Sequence, residues 1–243
     1  MKKLLLFAII IASVASLSAC RRNILHGEGP KGTATLTAAN FNAIDMDISA
    51  KISITVQAGA IPSIQLSGYE NVIKHIKVKV VDNTLQFYTD LDETWDIDYD
   101  ELTAQITVPS LSALGLSGAP DADIHGNIVG DSFNLDISGA SKVFIDNINV
   151  NHFNTDASGA TEIEVRGGVV QTASYDISGA GKIRAFPLQT QESSVSISGA
   201  GKGQVTAAQK LTADISGAGT IEYKGHPTVS QDISGAGSIK DVN

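Results

Sequence analysis

The chain has 243 residues, of which 42% are hydrophobic and 18% charged, and this balance excludes a disordered tail and a polytopic membrane protein. With 23 glycines but only 6 prolines it is neither collagen-like nor a Pro-rich linker, and its single cysteine excludes an intramolecular disulfide bond and a zinc site built on several cysteines. Acidic residues outnumber basic ones by 26 to 17, and the net charge of −9 argues against nucleic acid as a partner, because nucleic-acid binding needs a basic surface.

Residues 1–19 are predicted to be a lipoprotein signal peptide. Lysines at positions 2 and 3 precede an apolar segment, residues 4–16, whose length suits a signal peptide and is short for a membrane span. Leu17-Ser18-Ala19-Cys20 then has the small residues and the thiol of a lipobox, so Cys20 is the predicted lipid-attachment residue. The alternative is an ordinary signal peptide followed by a chance cysteine. Several acyl chains on Cys20 would anchor the protein stably on a membrane.

Residues 20–32 are predicted to be a lipid-anchored tether. Between Asn23 and Gly32 the chain contains three glycines and a proline, a composition typical of a linker. Arg21 and Arg22 follow Cys20 in place of the aspartate of an inner-membrane retention signal. The predicted location is therefore the outer membrane, and the sequence leaves open whether the domain faces the periplasm or the exterior.

Residues 33–243 are predicted to form one β-helix domain, which begins with irregular coils at residues 33–112. Apolar and polar residues alternate from Ile48 to Val56, and a turn is predicted at Asp82-Asn83. The segment Met46–Ile52 resembles the later repeat without its glycines, so we expect this part to share the same coil and to pair partly as hairpins. Further strands are predicted at Ile61–Leu66, Ile76–Val81, Thr84–Tyr88 and Leu102–Val108.

The segment Asp90–Glu101 is the strongest local anomaly, because seven of its twelve residues are acidic and it contains the only tryptophan. One interpretation is a ligand-binding loop in which Trp95 or Tyr99 stacks on a sugar or peptide, or in which Asp96, Asp98 and Asp100 hold calcium. The calcium loop of an EF-hand is excluded because its glycine is missing. The other interpretation is a solvated loop and edge strand whose charges prevent edge-to-edge aggregation.

Residues 113–243 contain a tandem repeat. The triplet Ser-Gly-Ala recurs seven times at intervals of 18 to 21 residues, and the full unit is Asp-Ile-Ser-Gly-Ala-Gly-Lys-Ile, as in Asp176–Ile183. A period of about 20 residues is typical of a solenoid, and the unit has strand periodicity without a helical pattern. Two or three short strands per unit predict one coil of a parallel β-helix, with coils stacked about 4.8 Å apart. The triplets start at Ser117, Ser138, Ser158, Ser178, Ser198, Ser216 and Ser234.

Stacking of the coils aligns equivalent residues in columns. The glycine of each triplet is predicted to adopt a positive φ at a corner, and Gly203 would leave a weak spot in an otherwise apolar inward column. Oppositely charged neighbours are expected where Glu164 meets Arg184 and where Glu222 meets Lys240. The inward column consists of Val143, Ile163, Ile183, Gly203, Ile221 and Ile239.

A column of aspartates is predicted along the same stack. Like charges about 5 Å apart repel each other, so each carboxylate needs a compensating partner. One interpretation is a row of cation sites between coils, and the other is that each aspartate accepts backbone hydrogen bonds at a turn or pairs with Lys142, Lys182 or Lys202. The column consists of Asp136, Asp156, Asp176, Asp214 and Asp232.

No residue set in the sequence carries a recognisable catalytic chemistry, and no cofactor, metal site or catalytic residue is predicted. The chain lacks the Asp-Asp and Gly-His-Gly motifs that polygalacturonase-like β-helices use, and Asn154-Thr155-Asp156 is part of the repeat. Arg166 and Arg184 lie outside any acidic cluster of the pectate-lyase type. The five histidines are scattered, and neither a Gly-x-Ser-x-Gly elbow nor a P-loop is present.

An ordered series of motifs resembles the head GIN domain family, bacterial lipoproteins labelled as autotransporter adhesins. The resemblance covers about residues 33–240 and combines the lipobox, the N-terminal strands and the repeats. It implies an all-β, single-stranded, right-handed parallel β-helix of pectate-lyase-like shape, and it implies the fold more firmly than a ligand. Its blocks include Phe41-Asn42-Ala43-Ile44, Ile52-Ser53-Ile54-Thr55-Val56, Val108-Pro109-Ser110-Leu111 and Leu116-Ser117-Gly118-Ala119.

The sequence thus favours a non-catalytic, lipid-anchored envelope protein whose β-helix presents a surface to a polysaccharide or an envelope protein. Its membrane contact is expected through Cys20. Two alternatives stay open: a carbohydrate-active enzyme of the β-helix class, and a purely structural envelope protein without a ligand.

Overall fold

The computed structural model describes residues 23–243, so the predicted signal peptide and Cys20 lie outside the described residues. The N-terminal part contains nine strands and a short helix, namely β1 (Asn23–Leu25), β2 (Lys31–Leu36), β3 (Ala43–Met46), β4 (Lys51–Val56), β5 (Ser63–Tyr69), α1 (Glu70–Ile73), β6 (Ile76–Val81), β7 (Thr84–Thr89), β8 (Trp95–Ile97) and β9 (Thr103–Val108).

The C-terminal part consists of strands that bend around the corners of the coils. They are β10 (Ala113–Gly118), β11 (Asp121–Gly139), β12 (Lys142–Gly159), β13 (Glu162–Val165), β14 (Gly168–Gly179), β15 (Lys182–Arg184), β16 (Gln189–Gly199), β17 (Lys202–Gly217), β18 (Thr220–Lys224), β19 (Thr228–Gly235) and β20 (Ser238–Asp241). Each coil pairs in parallel with the next, and about six turns are stacked. The predicted all-β parallel β-helix is therefore confirmed.

Each coil contributes a strand to two long parallel faces. Face A contains the segment before each Ser-Gly-Ala corner, in the order β7, β3, β10, the ends of β11, β12, β14, β16 and β17, and β19. Face B contains the segment after each corner, from β9 and β4 through the starts of β11 and β12 to β13, β15, the start of β17, β18 and β20. A third side, face C, joins face B back to face A through residues 127–133, 147–153, 168–173 and 189–193.

The corners depend on the glycine of the triplet. All seven of these glycines have a φ between +87° and +133°, as predicted from the motif. From the second corner onwards, the N–H of the following alanine donates to the carbonyl oxygen of the preceding coil's corner glycine over 2.8 to 2.9 Å. A Cβ at six of the seven glycines would lie 2.0 to 2.7 Å from that same oxygen. Glycine is therefore needed both for the backbone conformation and for the close stacking.

The core is a filled column of side chains from all three faces. Val143, Ile163, Ile183 and Ile221 of the predicted inward column are fully buried, whereas Ile239 in the last coil is half-buried. The weak spot expected at Gly203 is not an open space, because a Cβ there would lie 3.1 Å from Val195 Cγ1. Aromatic rings continue the column, since Phe133 stacks on Phe153 with centroids 5.7 Å apart and Tyr175 packs edge-on against Phe153 at the same distance.

The N-terminal part combines the same coil with hairpins, as the sequence analysis expected. Strands β3 and β4 pair in parallel with β10 and β11, and residues 47–50 form the corner that corresponds to a later Ser-Gly-Ala corner. The predicted alternation from Ile48 to Val56 is real in burial but is divided between this corner and β4. Strands β6 and β7 form the predicted hairpin, with φ values of 48° and 60° at Asp82 and Asn83. Antiparallel β5 and β2 extend face B beyond β9.

Part of the segment predicted to be a tether is folded. Strand β1 pairs in parallel with β8, and β2 already begins at Lys31. The prediction rested on glycine and proline content, which does not report pairing with a strand more than seventy residues further along the chain. Residues 23–32 therefore belong to the folded body.

Candidate functional site

The acidic segment Asp90–Glu101 is held to the body of the protein by its own carboxylates. Asp90 Oδ1 lies 2.7 Å from His75 Nδ1, and Asp98 Oδ2 lies 3.0 Å from His26 Nδ1. Glu101 forms an ion pair with Lys31. These contacts keep the pKa of Asp90 and that of Asp98 below the usual range, chiefly through the hydrogen bonds from the two histidines. The carboxylates of Asp90, Asp98 and Glu101 thus hold the segment to the body of the protein.

The side chains of the predicted ligand surface have different local partners. Asp96 accepts a hydrogen bond from the Ile97 N–H over 2.9 Å, and Asp98 accepts one from the Asp100 N–H over 3.2 Å. Tyr99 is half-buried, and burial followed by the charges of Asp47 and Asp96 raises its pKa to about 12. Within residues 23–243 no group of three or more His, Cys, Asp or Glu side chains is placed to hold a metal ion. Trp95 is 41% exposed, and it is the exposed large apolar side chain of this set.

A groove on face A, which we call groove A, brings together residues from five successive coils. The aspartate column lies beside a serine column here because, on a strand, residues two apart face the same way. The groove has a volume of about 370 Å³. It is lined by Asp45, Asp136, Asp156, Asp176, Ser117, Ser138, Ser158, Ser178, Gly115, Leu116, Ile137 and Ala157.

Asp45 is the member of groove A that the sequence analysis missed. Where Met46–Ile52 resembles the repeat, Asp47 occupies the place of the repeat aspartate, but the register pairs Asp45 with Gly115, and Gly115 with Asp136. The available signal was spacing, since Asp45 precedes Lys51 by six residues as Asp176 precedes Lys182. At the intervening coil, a Cβ on Gly115 would lie 3.0 Å from Asp45 Oδ1, so glycine leaves room for that carboxylate.

The carboxylates of groove A repel one another. Burial, followed by the charge of Asp156 and a hydrogen bond with it, raises the pKa of Asp136, and Asp45 adds to this effect. Burial and the charge of Asp156 also raise the pKa of Asp176, which a hydrogen bond with Ser196 partly offsets. Groove A therefore has a negative potential, which disfavours anionic ligands and favours neutral or cationic ones.

The lysines proposed as partners of the aspartate column lie on face B instead. The backbone N–H of Lys142 donates to Asp121 over 3.0 Å, and Lys202 Nζ lies 2.8 Å from Glu222. The predicted register of Glu164 with Arg184 is correct, but Arg184 forms its ion pair with Glu162. Likewise Glu222 stands beside Lys240 in the register and accepts hydrogen bonds from Lys202 and Gln204. These charges of face B pair with one another, whereas the carboxylates of groove A have no basic partner in its lining.

None of the helical structure in residues 23–243 is long and apolar enough to cross a bilayer.

Comparison with known proteins gives a consistent picture. The family model described as "Putative auto-transporter adhesin, head GIN domain" matches residues 40–227. A crystal structure of a "putative adhesin" from Bacteroides fragilis superposes with a TM-score of 0.83 at 26% identity, covering 90% of this chain and 100% of that one. No curated protein sequence matches the chain.

Two further solved structures share the fold. A "putative lipid binding protein" from Parabacteroides distasonis gives a TM-score of 0.75 at 23% identity, and a "putative adhesin" from Parabacteroides merdae gives 0.68 at 24%. Each comparison covers 91% of this chain and all of the other.

Proposed function

The chain belongs to the head GIN domain family of auto-transporter adhesins, and we propose on this basis that it is a non-catalytic, adhesin-like protein of the cell envelope. In this proposal Cys20 carries the lipid anchor on the outer membrane, and groove A binds an extended polysaccharide or protein segment. Whether the domain faces the periplasm or the exterior does not affect how groove A binds.

The observation that carries the proposal is the repetition in groove A. Four carboxylates and four serine hydroxyls come from coils about 4.8 Å apart and line one open surface. Hydroxyls donate and accept hydrogen bonds and carboxylates accept them, so the three successive coils that contain Asp136, Asp156 and Asp176 offer the same polar groups to a linear ligand. A rigid scaffold with a periodic row of such groups suits a polymer that lies along the axis of the solenoid.

The charge of groove A narrows the ligand class. Unneutralised aspartates favour sugar hydroxyls, which can donate to them, or the basic side chains of a peptide. An acidic polysaccharide would meet like charges from Asp45, Asp136, Asp156 and Asp176. We therefore propose a neutral or amine-bearing glycan, or a basic protein segment, as the ligand.

A binding screen tests this proposal. Residues 21–243 are applied to arrays of neutral, amine-bearing and acidic glycans and to immobilised envelope proteins, and the double variant Asp136→Asn/Asp156→Asn is compared with the charge-matched control Asp123→Asn/Glu192→Gln. Asp123 and Glu192 are exposed and lie outside groove A. We expect binding to a neutral or basic ligand that the groove variant loses and the control keeps. Equal binding by both variants, or no ligand in any class, would reject groove A as the site; the latter would favour a purely structural envelope protein.

The alternative of a carbohydrate-active enzyme has one observation in its favour. Neighbouring carboxylates of which one has a raised pKa, as Asp136 has beside Asp156, are what glycoside hydrolysis uses as acid and base. Against it, the repeat places the same aspartate in several coils without distinguishing one pair, and the lining of groove A contains no His, Lys or Arg. Release of reducing ends from a bound glycan, lost in Asp136→Asn/Asp156→Asn, would establish the enzyme instead.

A further inference from the structure

The first described residues of the chain form a two-stranded ribbon with the segment that contains Trp95. Strand β1 pairs in parallel with β8, so that Asn23 lies opposite Trp95 and Leu25 opposite Ile97. The ribbon is closed by two backbone hydrogen bonds, from the Asn23 N–H to the Thr94 carbonyl over 2.9 Å and from the Asp98 N–H to the Leu25 carbonyl over 3.0 Å. The chain therefore enters the fold directly beside Trp95.

The segment after the ribbon is fastened to the body by side chains. The His26 side chain contacts Asp98, and the His26 carbonyl oxygen accepts a hydrogen bond from Asn71 Nδ2 over 2.7 Å. The Glu28 N–H donates to Asn71 Oδ1 over 3.0 Å, and Lys31 pairs with Glu101. Residues 23–31 thus cannot act as a long flexible spacer without breaking these contacts.

The distance between the proposed anchor and the ribbon is short. Only Arg21 and Arg22 separate Cys20 from Asn23, and three Cα–Cα steps span at most ~11 Å. Acyl chains on Cys20 enter the bilayer at its surface, so the ribbon can lie no further than about that distance from the point of insertion.

Two large apolar side chains are exposed at this end of the ribbon. Ile24 is 53% exposed and Trp95 is 41% exposed, although most apolar residues of the solenoid are buried. Because Asn23 pairs with Trp95 and side chains alternate along a strand, Ile24 and Trp95 leave opposite faces of the ribbon. Tryptophan is the residue type that partitions most readily to the boundary between acyl chains and headgroups.

We propose that the β1–β8 ribbon is a membrane-contact element whose Asn23–Trp95 end meets the phospholipid bilayer that holds the lipid anchor, so that Trp95 and Ile24 enter the interface from the two faces of that end. This inference rests on the proposed anchor at Cys20. It gives Trp95 a role in docking the solenoid to the bilayer, while groove A remains the surface for the partner. The acidic residues of the Asp90–Glu101 segment disfavour an anionic bilayer, so the contact is made with zwitterionic lipid.

The single cysteine and the single tryptophan allow a direct test. Residues 20–243 are coupled through Cys20 to a maleimide phospholipid in phosphatidylcholine vesicles, and the fluorescence of Trp95 is measured with and without brominated phosphatidylcholine. We expect quenching by the brominated lipid and protection from acrylamide relative to the uncoupled protein. A coupled protein whose tryptophan is not quenched would overturn the inference.

Two variants control for proximity. A flexible Gly-Ser insertion of about 12 residues between Arg22 and Asn23 lengthens the connection by about 20 Å, and we expect it to abolish the quenching. In Trp95→Phe/Phe186→Trp the reporter moves to the turn after β15, five coils from the coil that contains β9, where we expect no quenching. Equal quenching in either variant would contradict a contact localised at the ribbon.

The failure of the anchor and the failure of the ribbon are distinguishable. Mass spectrometry of the protein isolated from cell membranes reports whether Cys20 is acylated, and this result does not depend on the vesicle assay. Acylated protein without quenching in vesicles would reject the ribbon contact alone. Quenching in vesicles with an unmodified Cys20 in cells would reject the proposed anchor and, with it, the ribbon's contact with that membrane.

Discussion

The corner glycines are subject to two separate constraints at the scale of single residues. Gly159 has a φ of +100°, which strains any residue with a Cβ, and a Cβ there would lie 2.3 Å from the Gly139 carbonyl oxygen. That oxygen accepts the hydrogen bond from the Ala160 N–H which stacks the two coils. A larger residue could relieve the contact only by separating the coils at the corner.

We expect Gly159→Ala to lower the free energy of unfolding by about 2–4 kcal/mol, the sum of backbone strain and loss of close stacking. Gly130→Ala is the matched control, because Gly130 has no positive φ and a Cβ there would meet nothing within 4 Å. The control should be neutral or slightly stabilising. Urea denaturation of both variants measures the difference, and a Gly159→Ala protein as stable as the control would contradict this account of the corner.

The corner glycines could be predicted because the motif itself repeats, whereas partners of single charged residues could not. Arg184 was placed correctly beside Glu164, yet a long side chain on a sheet also reaches diagonal neighbours, and Arg184 pairs with Glu162. The prediction of a weak spot in the core at Gly203 was also wrong, because Val195 from face A fills the space and the sequence does not show this contact.

At the scale of elements, faces A and B treat charge in opposite ways. On face B acidic residues form ion pairs with basic residues of neighbouring coils, and the pKa of Glu162 and that of Glu222 are lowered chiefly by hydrogen bonds from Arg184 and Lys202. On face A the aspartates follow one another, and the pKa of Asp136 is raised by burial and by Asp156. A repeat that stacks unneutralised carboxylates in successive coils of face A is consistent with a ligand for that face.

The raised pKa of Asp136 means that its ionised form destabilises the native state. The native protein keeps the Asp136 proton to a higher pH than the unfolded chain does. The free energy of unfolding therefore falls as the pH rises from the pKa of Asp136 in the unfolded chain to its pKa in the native protein, and at pH 7 this penalty on stability is fully present. Asp136→Asn removes the penalty. We expect this variant to be more stable than the wild type at pH 7, by about 0.5 kcal/mol because solvent screens the groove.

The pH dependence separates this effect from a general loss of charge. The advantage of Asp136→Asn should disappear as the pH falls below about 3.9, the ordinary pKa of aspartate, because Asp136 is then protonated in both states. Asp123→Asn, at an exposed position of face B outside groove A, is the control for the loss of one negative charge. Urea denaturation at a series of pH values measures both variants, and a gain for Asp136→Asn that persists in acid would disprove the electrostatic explanation.

The β1–β8 ribbon marks the limit of prediction for single elements. Strands of three residues show no periodicity, and Gly27, Gly29 and Pro30 indicate a linker. Their pairing is decided by contacts between distant segments, such as His26 with Asp98 and Lys31 with Glu101. The exposed Trp95 was identified as a candidate site from composition, and the structure adds its position beside the entry of the chain.

At the scale of the whole molecule, the fold is nearly a repetition of one coil. The period of about 20 residues predicted the solenoid because a unit so short cannot bury its own core and has to stack. The N-terminal end was less predictable: β3 and β4 form a coil onto which the chain adds β7 and β9 on one side and β10 and β11 on the other. This spatial order differs from the order of the strands along the chain. The antiparallel strands β2, β5 and β6 end the stack on this side.

Such an architecture predicts that one whole coil can be removed. Deletion of residues 160–179 joins Gly159 to Ala180, so that the end of β12 should pair with β16 and its start with β15, with corner, aspartate and apolar columns still in register. We expect a folded protein about 5 Å shorter. Its free energy of unfolding should be lower, because each coil interface contributes to stability and the packing of Tyr175 is lost.

The matched control removes half a coil. Deletion of residues 170–179 joins face C directly to a corner and takes away one strand of face A, so neighbouring columns can no longer align and the protein should fail to fold. Circular dichroism and small-angle X-ray scattering compare the two deletions, and urea denaturation gives the stability of the first. If the deletion of residues 160–179 unfolded the protein as completely as the control, the coils would not be interchangeable units, and stability would depend on particular contacts such as Phe153 with Tyr175.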